Sequence, residues 1–123
     1  MSLKPKTYTN KAGDSLFAAT GVKSIPADGY VLSADVTGTL PRGTALKQGA
    51  NAHELTVLAA TTDQVVAILA DDTDTTVSRA IAVYEEGEFN RYKVSFATGT
   101  YADYAVKARM KGIYFKDVVK TVE

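Results

Sequence analysis

The stretch that most restricts the fold is residues 65–90, VVAILADDTDTTVSRAIAVYEEGEFN. An apolar run at residues 65–70 breaks into an acidic, threonine-rich turn at residues 71–76. A second apolar run, residues 81–84, ends in Glu85-Glu86-Gly87-Glu88-Phe89-Asn90. Runs this short, bounded by turn-forming residues, predict two strands joined through a polar loop. Nothing in the stretch has the pattern of a catalytic centre.

Size and composition bound what surrounds it. A chain of 123 residues suits one domain that buries about two thirds of its unfolded surface without metal or disulfide help. The apolar fraction is 46%, with four Phe and seven Tyr, which marks a folding chain and not a disordered one. Fourteen basic residues balance fourteen acidic ones, so no net field steers the molecule toward nucleic acid or anionic lipid. Cysteine is absent, which removes disulfides, thiolate chemistry and sulfur-based zinc sites and fits a reducing compartment. The opening MSLKPKTYTNKAGDS is basic but lacks the apolar segment of a signal peptide. No apolar run approaches the roughly 18 residues of a membrane span. The expectation is a soluble, single-domain protein made in the cytoplasm.

Residues 1–24 read as an N-terminal arm and lead-in, and residues 25–123 as the body. Lys4-Pro5-Lys6 cannot hold a regular element around the proline. Tyr8 and then Leu16-Phe17-Ala18-Ala19 supply apolar anchors for an arm that orders on a partner, the other reading being a frayed terminus. Gly21, Pro26 and Gly29 predict a loop over residues 20–29, followed by a short strand at 30–34. Leu40-Pro41-Arg42-Gly43 predicts a turn with Pro second and Gly fourth, leading into a strand at 44–47. Residues 55–60 are apolar without alternation, as in a doubly buried strand or a short helix.

Tyr92, Val94 and Phe96 alternate with Lys93 and Ser95, the period of a half-buried strand. Residues 101–111 predict the one helix. Thr100 is placed to cap it and Asp103 to complete a capping box. Tyr101, Tyr104, Ala105 and Ala108 share a face. Lys107, Arg109 and Lys111 crowd the end where the dipole favours cations, and Gly112 stops it. Ile113-Tyr114-Phe115 and Val118-Val119 read as a closing strand. With about six or seven short strands, the fold class is a β-rich α+β domain, a small-barrel-like body with one helix near the C-terminus and a flexible N-terminal arm.

Each chemical reading fails on its own pattern, so an enzyme is not expected. His53 is the single imidazole and has no nucleophile beside it. Asp71, Asp72 and Asp74 lack the Gly and Glu spacing of a calcium loop and suit a turn whose carboxylates accept backbone N–H groups. Glu85, Glu86 and Glu88 include a same-face pair, but Gly87 predicts a turn or bulge between them. The glycines have no phosphate-cradling spacing. Lys107, Arg109 and Lys111 form only a small basic patch. No cofactor and no metal are expected.

Taken in order, Val66-Ala67-Ile68-Leu69-Ala70-Asp71-Asp72-Thr73-Asp74, then Ala82-Val83-Tyr84, then Gly87-Glu88-Phe89-Asn90 resemble the signature region of bacteriophage head decoration proteins related to the lambda D protein. Leu40-Pro41-Arg42-Gly43-Thr44-Ala45-Leu46 is similar to the family's glycine-threonine turn and strand, and Lys111-Gly112-Ile113 to its ending. The resemblance covers roughly residues 30–115, with Asp71 where the family usually has Glu. It implies a structural virion component, a homotrimer on the outer surface of an expanded icosahedral capsid, which it stabilises by binding the major capsid protein. It also implies that an N-terminal segment makes the attachment. By position that role falls to Lys4, Lys6, Tyr8, Leu16 and Phe17, while Asp71, Asp72, Asp74, Gly87, Glu88, Phe89 and Asn90 carry the family-like motif. No nucleic acid, membrane or small-molecule substrate is expected as a partner. The alternative is a non-catalytic β-rich module of a phage tail, fibre or host surface that recognises a glycan or protein, through an aromatic patch drawn from Tyr8, Tyr30 or Tyr92.

Overall fold

Strands that are apolar on both faces must be covered on both, and this requirement organises the molecule. The computed structural model describes residues 8–9, 16–17 and 23–117. Along the chain come β1 (Tyr8–Thr9), β2 (Lys23–Leu32), β3 (Thr39–Leu40), β4 (Ala45–Gln48), β5 (Glu54–Val57), β6 (Ala67–Leu69), β7 (Thr73–Asp74), β8 (Ala80–Asn90), α1 (Tyr101–Arg109) and β9 (Ile113–Lys116). Five of these close into a barrel in the order β2-β5-β4-β6-β8, with β8 pairing back onto β2. Closure leaves no open edge within that ring. β2 and β5 run parallel; the other four pairings are antiparallel. β1 extends β2, β9 lies parallel to the end of β8, and β3 with β7 makes a separate two-stranded ribbon.

The barrel interior holds Leu32, Leu46, Leu55, Ala67, Leu69 and Val83. A second cluster, with Ala45, Ile68, Phe89, Tyr104, Ala108 and Ile113, covers the opposite face of the same strands with the helix. All three residues of β6 are therefore buried, Ile68 in one cluster and its neighbours in the other. Double burial explains why residues 65–70 show no alternation. The two apolar runs pair as expected, Ile68 opposite Tyr84 and Leu69 opposite Val83.

The helix follows its signals. Asp103 Oδ2 accepts the N–H of Thr100 at 2.8 Å, so the carboxylate satisfies a donor at the terminus. Tyr104 and Ala108 face inward and are fully buried. The Tyr104 hydroxyl donates to the carbonyl of Thr98 at 2.5 Å, which satisfies a polar atom inside the core; burial pushes its pKa up. Gly112 ends the helix with a left-handed φ of 84°.

Four local expectations are corrected. Residues 20–29 are not all loop, because β2 starts at Lys23. Ladder bonds to β1 and β8 outweigh the turn residues, and register shifts at Ile25/Pro26 and Ala27/Tyr30 absorb Pro26 and Gly29 as irregularities. Gly87 makes no turn, and the bulge lies just before it. Pro26 pairs with Tyr84 and Ile25 with Glu86, leaving Glu85 extra, after which β8 runs on and changes partners, pairing Gly87 with Ile113. Residues 92–96 form no strand. Asn90 turns the chain instead, its carbonyl accepting the N–H of Lys93 at 2.9 Å and its side chain that of Tyr92 at 3.0 Å. The turn after Leu40 lies one residue later than expected: the N–H of Thr44 donates to the carbonyl of Pro41, putting Gly43 third with φ of 96°.

Candidate functional site at the root of the N-terminal segment

Leu16 and Phe17, expected to anchor an arm on a partner, lie inside the body, 3% and 5% exposed. Phe89 holds them there. Phe17 forms an antiparallel bridge with Phe89, and the N–H of Asn90 donates to the carbonyl of Leu16 at 2.8 Å. The Phe17 ring stacks on Phe89 with centroids 5.4 Å apart and meets Tyr84 edge-on at 5.1 Å, both favourable aromatic geometries. The segment before Leu16 thus starts from a fixed point at the end of β8.

Arg42 closes this seat from the other side. Its guanidinium carbon lies 5.8 Å from the Phe17 centroid and 5.9 Å from that of Tyr84, within cation–π range. Nε donates to the carbonyl of Ala70 at 3.0 Å and Nη2 to the Tyr84 hydroxyl at 3.2 Å. The main-chain N–H of Arg42 donates to Asp72 Oδ1 at 2.7 Å. The two halves of the motif converge here. Ala70 and Asp72 come from the first half, Phe89 and Asn90 from the second, and Arg42 lies between them.

The other motif residues serve local structure. The carbonyl of Asp71 accepts from the Thr73 hydroxyl at 3.1 Å. Asp74 Oδ1 accepts from the hydroxyl and the N–H of Thr76 at 2.7 and 2.9 Å. These bonds hold the Asp74 carboxyl below its ordinary pKa. Among the described residues no group of three or more His, Cys, Asp or Glu is arranged to hold a metal ion. The N–H of Gly87 donates to the carbonyl of Gly112 at 3.0 Å. Glu88 pairs with Lys116 on the surface at 3.1 Å. Asn90 is buried, its side chain turned to the N–H of Tyr92.

His53 is exposed in the turn before β5. Among the described residues, shallow hollows carry acidic groups. One of about 330 Å³ is lined by Asp71, Asp72, Asp74 and Val77, and another of about 290 Å³ by Tyr30, Gln48, Glu85, Glu86 and Lys111. His53 lines neither. Glu85 accepts from the Tyr30 hydroxyl at 2.6 Å, and this bond raises the tyrosine pKa. Tyr30 pairs beside Ile81 near the start of β8, whereas Tyr92 follows its end, so these two rings do not form one patch. The backbone of Tyr8 pairs with Ser24. Lys4 and Lys6 lie outside the described residues, as do Val118 and Val119.

Sequence reasoning missed Arg42, Tyr84 and Arg91. The signal for Arg42 was its place between Pro41 and Gly43, a turn that acidic residues can cap; Tyr84 carries no local signal. Arg91 lies 4.5 Å from the Tyr92 ring centroid and 4.0 Å from that of Tyr101, with Nε 2.5 Å from Asp117 Oδ1. It ties the end of β8 to the first turn of the helix. No family model, curated protein or solved structure matches the chain.

Proposed function

We propose that the chain is a structural virion protein that binds the outer surface of an expanded icosahedral phage capsid and stabilises it. One observation carries this reading: the motif segments that resemble head decoration proteins, separate in sequence, meet around the root of the N-terminal segment. The motif in this reading builds a rigid seat, and the segment before Leu16 makes the attachment to the major capsid protein. A segment that orders on binding, repeated over a symmetric lattice, gives many weak contacts that act together. The active form is a homotrimer, made in the host cytoplasm and working without catalysis or cofactor.

Co-sedimentation with expanded shells of the cognate capsid protein tests it, using the full chain and a chain lacking residues 1–15. The full chain is expected to pellet with intact shells and the truncated one to stay in solution. Failure of the full chain to bind overturns the reading. Light scattering on the binding-competent protein should give three times 13.1 kDa.

A second reading, a non-catalytic module that recognises a glycan or protein of a tail, fibre or host surface, rests on Tyr92. This residue is 64% exposed and its ring is held in place by Arg91. Binding to a glycan array that Tyr92→Ala abolishes would favour it over shell binding.

A further inference from the structure

No further inference is drawn: the strongest candidate, the shallow hollow beside β8 that Tyr30, Glu85, Glu86 and Lys111 line, carries nothing, because it is an acidic pair with Glu85 already accepting from Tyr30 and a lysine of the same chain alongside, and among the described residues no unpartnered buried polar side chain points to a ligand there.

Discussion

The N–H of Asn90 donates to the carbonyl of Leu16 at 2.8 Å, and one residue along from each, the Phe17 and Phe89 rings stack beside that bond. A polar contact on the strand end and an apolar one in the core thus fix the same two-residue piece of chain. The root belongs to the body energetically, whatever the segment before it does.

Phe17→Ala is therefore expected to cost about 3–5 kcal/mol, the range for emptying a buried Phe site. Deleting residues 1–15 should cost less than about 1 kcal/mol, since among the described residues it removes only the short pairing of β1 with β2. Urea denaturation of both proteins gives the comparison. Equal losses would mean that the boundary between arm and body does not fall before Leu16.

Arg42→Lys keeps the charge and removes the planar fork that reaches Ala70 and Tyr84 together. The expected loss is about 1–2 kcal/mol in chemical denaturation. A double-mutant cycle of Arg42→Met with Phe17→Leu should show coupling of about 0.5 kcal/mol or more, because the first change removes the cation and the second its ring. Strict additivity would show that the cation–ring contact contributes nothing.

Burial periodicity and terminal signals made much of this fold legible. Thr100, Asp103 and Gly112 mark the helix because each acts on backbone groups within a few residues. The barrel-facing Leu69 and outward-packed Ile68 appear in sequence only as an unbroken apolar run, and that is what a doubly buried strand looks like. Pro26 and Gly29 misled because long-range pairing of β2 with β8 is invisible to local turn chemistry. The alternation of Tyr92, Val94 and Phe96 predicted buried Val94 correctly, yet Asn90 had already turned the chain out of the sheet. The seat around Phe17 was hidden for the same reason: Arg42, Tyr84 and Phe89 meet only once the barrel closes.

Gly43 is the glycine whose replacement the geometry resists most directly. Its φ is 96°, and an added Cβ would lie 2.6 Å from the carbonyl oxygen of Lys93, a backbone atom. Gly43→Ala should cost about 2 kcal/mol or more, from the left-handed backbone and the clash together. Gly38, also left-handed, has open space where the Cβ would go, so Gly38→Ala should carry only the backbone part. Thermal melts of the two variants distinguish the terms, and an equal loss would show that the Lys93 contact yields freely.

Asp63 should give the protein part of its acid sensitivity. Its Oδ2 accepts the N–H groups of Ala59 and Ala60, each at 2.8 Å, and lies 3.1 Å from the Lys47 ammonium. The Ala59 bond, then the Ala60 bond, and after them Lys47 hold the carboxyl below its usual value. A carboxyl whose pKa is lower folded than unfolded stabilises the fold above the unfolded value, about 3.9. That contribution disappears as pH falls through the folded value. Asp63→Asn cannot titrate, so it should melt below the parent by a constant margin between about pH 5 and 7. The margin should begin to narrow as the pH drops below about 3.9, where the unfolded chain's carboxyl takes up its proton, and close as the pH falls through the lower folded value. Melting curves at stepped pH test this directly. A margin that stays constant down to pH values where the parent unfolds would show that the Asp63 charge adds nothing to the loop its hydrogen bonds hold.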